Sequence, residues 1–165
     1  MQPTPDEWRT WLREKGPRFL LFARQHTRLE ADAEDVLQDA LVESWQRAGR
    51  MPDDALVFCT IRRRSIDLAR SSDRRTCREE EYCLGNAWFA PGMDPGIDQR
   101  EIHRILEEAV KSLVPVYREV IVLKLWGGLT FQQVAETLGV PANTAASRYR
   151  YAIEELRKSL KPVLR

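Results

Sequence analysis

Along most of this chain apolar residues recur every three or four positions, the period of a helix with one buried face. Two such stripes meet at a short break near the carboxy end. Val134, Ala135 and Leu138 follow Thr130, a good N-cap, and Ala145, Tyr149, Ala152, Leu156 and Leu160 make the second stripe. Between them stands Gly139-Val140-Pro141, where Gly can take the left-handed conformation that ends one helix and Pro presets the first turn of the next. Two helices about a three-residue, Gly-containing turn are the pattern of a helix-turn-helix.

Upstream the same reading gives further helices. Asp6–Glu14 is a short one with Trp8, Trp11 and Leu12 on one side, and Gly16-Pro17 is expected to break it before Phe19, Leu20, Phe22 and Ala23 build core. After a polar connection at Arg28–Asp32, Val36, Leu37, Ala40, Leu41 and Trp45 again fall at helical spacing. Gly49–Asp54 is a loop by its Gly and Pro, and Leu56–Arg70 resumes as helix, ending near Ser71-Ser72. Ile102, Ile105, Leu106, Ala109, Val110 and Leu113 lead to Pro115, and Tyr117 to Leu125 gives a helix closed by Gly127-Gly128. The stretch between, with acids, Pro91, Pro95 and the isolated Trp88 and Phe89, reads as a linker. The expected fold is therefore all-α: two small helical domains, 1–76 and 99–165, joined by a flexible linker at 77–98, the second containing the helix-turn-helix.

Composition adds bounds. The 165 residues suffice for one domain or two small helical ones, and a net charge of +1 carries no message until its distribution is considered. Glu30–Asp39 holds five acids and no base, whereas Arg62–Arg78 holds seven Arg against Asp67 and Asp73, the footprint of a phosphate-facing surface. Cys59, Cys77 and Cys83 are odd in number and lack C-x-x-C spacing, and no signal peptide or membrane-length apolar run is present, so reduced thiols in a cytoplasmic chain are expected. Cys77, Cys83 and His103 match no zinc spacing, and no metal or cofactor is expected.

The second helix of the helix-turn-helix presents, opposite its apolar stripe, Asn143, Ser147, Arg150 and Tyr151, flanked by Thr144 and Arg148, and no acid occurs from Ala142 to Ile153. Such a face can hydrogen-bond base edges and phosphates, with the backbone N–H groups and positive dipole of the helix start in support. On the helix built around Val36 and Ala40, the face away from the core shows Asp35, Gln38, Asp39, Val42, Glu43 and Gln46. A charged strip is commonly a solvated face; alternatively it is a docking surface for a basic or mixed partner.

With these pieces in place the sequence resembles the extracytoplasmic-function (ECF) group of RNA polymerase sigma factors. Ala31–Asp39 resembles the family's core-binding helix, followed by Trp45, and Ile61–Arg70 the next helix of that region. Leu113-Val114-Pro115, Tyr117–Val120, Leu129–Ala135 and Leu138–Arg148 are similar to the family's region 4. The resemblance implies that Asp35, Gln38, Asp39 and Glu43 contact core RNA polymerase. It further implies that the first domain binds and melts the minus-10 element through Arg50, Met51, Asp54, Arg62, Arg63 and Arg70, the loop Gly49–Asp54 corresponding to a pocket for a flipped promoter base. Asn143, Thr144, Ser147, Arg148, Arg150 and Tyr151 become minus-35 contacts. Partners implied are core polymerase, promoter DNA and an anti-sigma factor or other regulator, without membrane insertion. The chain departs from the family's common pattern at Leu56-Val57-Phe58, Arg63, Asn143 and Ala146, so the promoter sequence does not carry over.

Two other readings compete. A stand-alone helix-turn-helix regulator would dimerise on a two-fold operator, and leaves the acidic helix unexplained. A nuclease gathering magnesium on Asp32, Glu34, Asp35 and Asp39 fails because these four do not share one helical face and no positioned nucleophile or base accompanies them, so no enzymatic activity is expected.

Overall fold

The computed structural model describes residues 3–73 and 97–162, and in these every regular element is helical. The chain divides into two compact units, Met1–Ala90 and Pro91–Arg165. Arg74, Arg75, Cys77, Arg78, Cys83 and nearly all of the expected linker lie outside the described residues.

In the first unit three helices pack pairwise: α1 (Pro5–His26), α2 (Glu30–Ala48) and α3 (Asp54–Asp73). Phe19 and Phe22 of α1 meet Phe58 of α3 edge-on, at centroid distances of 4.9 and 5.3 Å, and these rings with Val57, Ile61, Val36 and Ala40 form the core. Buried hydroxyls are satisfied in series: Ser44 of α2 donates to Thr60 Oγ1 (3.3 Å), which donates to the Leu56 carbonyl (2.8 Å). The bidentate Arg24–Glu30 pair, with an Nη2–Oε1 distance of 2.5 Å, closes the turn from α1 into α2.

The expected break at Gly16-Pro17 does not occur, since α1 runs through Pro17. A proline inside a helix costs about 3 kcal/mol by deleting one backbone bond and crowding the preceding turn. Packing on both sides outweighs it. Trp8 stacks on Trp11 (5.2 Å) and meets Trp45 edge-on (4.7 Å), while Trp11 touches Phe19 (5.5 Å), so each half of α1 is pinned to the bundle. A capping box between Thr4 and Glu7 fixes the start, and accepting from the Thr4 backbone N–H holds the Glu7 carboxyl below its usual range.

The second unit contains α4 (Ile97–Ser112), α5 (Pro115–Ile121), α6 (Phe131–Leu138) and α7 (Ala142–Leu160), with α7 packed against α4, α5 and α6. α4 takes in Ile97 and Asp98, which the sequence reading assigned to the linker. Val120, Ile121, Val122, Leu123, Val134, Ala145 and Ala152 are fully buried. α5 continues into a π-helical turn, Val122–Trp126, where Gly127 N–H reaches the Val122 carbonyl at 2.9 Å. Arg118 ties α5 to α4 by donating from Nη2 to the carbonyls of Lys111 (2.7 Å) and Leu113 (2.9 Å), and burial pushes its guanidinium below the usual range.

Candidate nucleic-acid interface

The helix-turn-helix is built from local chemistry. Thr130 and Gln133 form a capping box, Thr130 Oγ1 accepting from Gln133 N–H (3.2 Å) and Gln133 Oε1 from Thr130 N–H (3.0 Å). Gly139 ends α6 at φ +67°, a conformation that a β-carbon would strain, with its N–H on the Ala135 carbonyl. Pro141 sits at the N-cap of α7 rather than in its first turn, and without a side-chain cap there. The first N–H groups of α7 are thereby left uncapped by any side chain.

Buried Ala145, Ala152 and Leu156 fix the roll of α7, and Phe131 of α6 meets Tyr149 edge-on at 5.4 Å. That roll leaves Asn143 and Arg150 exposed, with Thr144, Ser147 and Arg148 half-buried. Tyr151 is 48% exposed; its ring stands 6.4 Å from Tyr117 and lies under the Arg150 guanidinium at 5.3 Å. Just before α6, Lys124 donates to the Leu129 carbonyl (3.0 Å) and lies over Phe131 (4.8 Å), an anchor the sequence reading did not single out.

In the first unit the acidic face of α2 divides. Asp35 and Gln38 are exposed, and Val42, at 58% exposure, is an apolar residue among them. Asp39 is also exposed but accepts from Arg64 Nη1 at 3.2 Å. Glu43 turns toward α3, one oxygen accepting from Arg63 Nη2 and the other from Arg64 Nε (2.9 Å), with Arg47 at 3.9 Å. The Arg63 hydrogen bond, aided by Arg64, holds the Glu43 carboxyl below its usual range and raises Arg63 in return. An expected polymerase contact and an expected DNA contact are thus paired with each other. Arg70 is exposed and Arg62 half-buried on the same helix.

Between α2 and α3 the chain turns at Gly49, which takes φ +62° to end α2. Arg50 is exposed, Met51 half-buried, and Pro52 buried. Asp54 opens α3 with its carboxylate taken by Lys15 of α1 at 2.6 Å. No group of His, Cys, Asp or Glu able to hold a metal ion, and no helix long and apolar enough to cross a membrane, occurs among the described residues.

Comparison with known proteins gives this arrangement a context. A model of the family "Sigma-70, region 4" matches residues 103–156, a span that contains α5, α6 and most of α7. The chain is 29% identical over 154 residues to the RNA polymerase sigma-E factor of Streptomyces coelicolor, covering 93% of this chain and 86% of that one. It is 32% identical over 140 residues to the ECF RNA polymerase sigma factor SigK of Mycolicibacterium vanbaalenii, with 78% and 68% covered. Among solved structures, the sigma factor RpoE bound to the anti-sigma factor NepR from Bartonella quintana superposes with a TM-score of 0.68 at 23% identity, covering 93% and 96%. CnrH in complex with the cytosolic domain of CnrY gives 0.60 at 21% identity, covering 96% and 90%. A two-unit helical fold, a helix-turn-helix with an acid-free outer face, and these likenesses converge: the chain belongs to the ECF RNA polymerase sigma factors, which bind core RNA polymerase and direct promoter recognition, DNA melting and the start of transcription.

Proposed function

We propose a division of labour within this sigma factor: residues 1–76 form a region 2-like domain for core polymerase and the minus-10 element, 77–98 the linker, and 99–165 a region 4-like domain for the minus-35 element. The observation that carries the second assignment is the outer face of α7, exposed at Asn143 and Arg150 and rigidly rolled by Ala145 and the Phe131–Tyr149 contact. Arg150 and Ser147 address base edges in the major groove, Asn143 and Thr144 the helix start near phosphate or base, Arg148 phosphate, and Tyr151 the margin of the face. The uncapped N–H groups of α7 favour a phosphate at its amino end.

In the first domain Asp35, Gln38 and Val42 offer the polymerase a mixed acidic and apolar strip, with Asp39 and Glu43 behind them in ion pairs to α3. Arg50 and Met51 of the loop, and Arg62, Arg63 and Arg70 of α3, face the minus-10 element; capture of unstacked bases and backbone contacts offset the few kcal/mol of melting. Neither domain supplies bond-making chemistry, so the protein is not an enzyme, and it works in the cytoplasm beside the polymerase. An anti-sigma factor or similar regulator is the expected antagonist, as NepR is described for the Bartonella quintana RpoE complex.

Holoenzyme reconstituted with core polymerase and a randomised minus-35 library tests the region 4 assignment. Arg150→Ala is expected to relax one or two positions, since a bidentate Arg discriminates its base by about 1–3 kcal/mol. Arg148→Ala should lower all sequences alike and reduce the salt slope by about one unit. An unaltered motif with Arg150→Ala would refute base reading by that residue.

A further inference from the structure

The loop 49–53 is short; each end is tied to its own helix by a backbone hydrogen bond, Gly49 N–H to the Trp45 carbonyl and Val57 N–H to the Asp53 carbonyl, and the helix ends flanking it are further held by the amino-terminal half of α1. On the α2 side, Trp45 lies one turn before Gly49; its carbonyl accepts the Gly49 N–H at 2.9 Å and its ring meets Trp8 edge-on at 4.7 Å. On the α3 side, Asp54 is held by Lys15 at 2.6 Å, a half-buried pair with side chains 31% and 22% exposed. Lys15 itself is steadied over the Trp11 ring, 6.0 Å from the centroid, and Trp11 stacks on Trp8. Lys15, Trp11, Trp8 and Trp45 therefore make a continuous brace from one end of the loop to the other. Between its fixed ends the loop seats Pro52 in the interior and holds Arg50 out in solvent.

We propose that Lys15 is a positioning residue for promoter selectivity: by clamping Asp54 it sets the height of the loop 49–53 over the minus-10 element, and with it the base that this loop accepts. The proposal rests on the assignment of that loop to the minus-10 element. It gives Asp54 a different role from the direct DNA contact expected from sequence, because its carboxylate is already engaged by an ammonium group. The brace depends on α1 remaining helical through Pro17. A break there would uncouple the half carrying Trp8, Trp11 and Lys15 from the half carrying Phe19 and Phe22.

The test uses holoenzyme reconstituted with core polymerase on a promoter library randomised through the minus-10 element, with the minus-35 element fixed. Lys15→Met keeps the apolar stem over Trp11 and removes the charge; Lys15→Arg restores it. Loss of a half-buried pair is expected to relax preference at the base read by the loop roughly fivefold. Asp54→Asn should relax the same position, the double variant should relax it no further, and Lys15→Arg should recover most of the preference. General loss of folded protein would instead lower transcription from every library member in proportion, and thermal unfolding of each variant measures that fraction. Arg50→Ala and Met51→Ala run in parallel. If these loop variants change the minus-10 profile while Lys15→Met and Asp54→Asn leave it intact, the brace is refuted and the loop assignment stands. If the loop variants leave the profile unchanged, the loop assignment itself falls.

Discussion

Glu43 offers the sharpest test of how the first unit is held together. Its two carboxylate oxygens accept from Arg63 and Arg64, and so bridge α2 to α3 at a place where the neighbouring side chains face solvent. Glu43→Gln preserves shape and one acceptor while removing the charge and setting an amide NH2 against a guanidinium. The Glu43 side chain is 20% exposed, but Arg63 is 51% and Arg64 36% exposed, so water screens both contacts. At about 0.2–1 kcal/mol for each such pair, the substitution should cost about 1 kcal/mol in all. For a unit of this size that is a fall of about 4–8 °C in Tm. The pH dependence follows from the direction of the shift. The carboxyl is held below the ordinary glutamate value of about 4.5 chiefly by the Arg63 hydrogen bond, so its contribution is complete above about pH 4.5 and is lost as pH falls through the folded value. Thermal unfolding of wild type and Glu43→Gln, followed by circular dichroism at pH 7 and at pH 3, reads the gap directly. The gap should be present at pH 7 and shrink at pH 3. Equal melting at pH 7, or a gap that persists undiminished in acid, would show that the bridge contributes nothing as an ion pair.

Three further outcomes are expected. Asp35→Lys should leave the fold intact and sharply weaken binding to core polymerase, since like charges meeting at an interface cost several kcal/mol; a pull-down with wild-type retention would remove Asp35 from that surface. Phe58→Ala deletes the ring on which Phe19 and Phe22 converge and should cost about 3–5 kcal/mol in denaturant unfolding, with a loss under about 1 kcal/mol contradicting its place at the centre of the core. Gly139→Ala should cost only about 1–2 kcal/mol, because its φ of +67° strains any β-carbon while no atom lies within 4 Å of where that carbon would stand; thermal unfolding separates this from the larger loss that a steric clash would produce.

The helix-turn-helix was legible because its determinants are local. A cap, a left-handed Gly and two apolar stripes act over four or fewer residues, and they specify both the turn and the face of α7 that remains outside. The same holds for the core residues of α1, α2 and α3, whose spacing alone separates Phe22, Val36 and Ala40 from the polar positions beside them. Pro17 marks the limit of that logic. Its local preference is to interrupt a helix, and only the packing of Trp8 and Trp11 on one side and Phe19 on the other decides against it. The π-helical turn at Val122–Trp126 belongs with it, since no residue pattern there announces a six-residue backbone loop and the burial of Leu123 beside exposed Leu125 appears only in the packed unit. Charge pairing is the other thing that sequence could not decide. The acids of α2 and the arginines of α3 were visible as two opposite runs, but which of them stay open to a partner depends on contacts bridging 20 to 25 residues. Lys15 and Asp54 are 39 residues apart, and nothing in either neighbourhood signals the other. Periodicity and capping propagate along the chain and can be read from it, whereas an ion pair between helices depends on how two elements approach each other, which the tertiary structure alone sets.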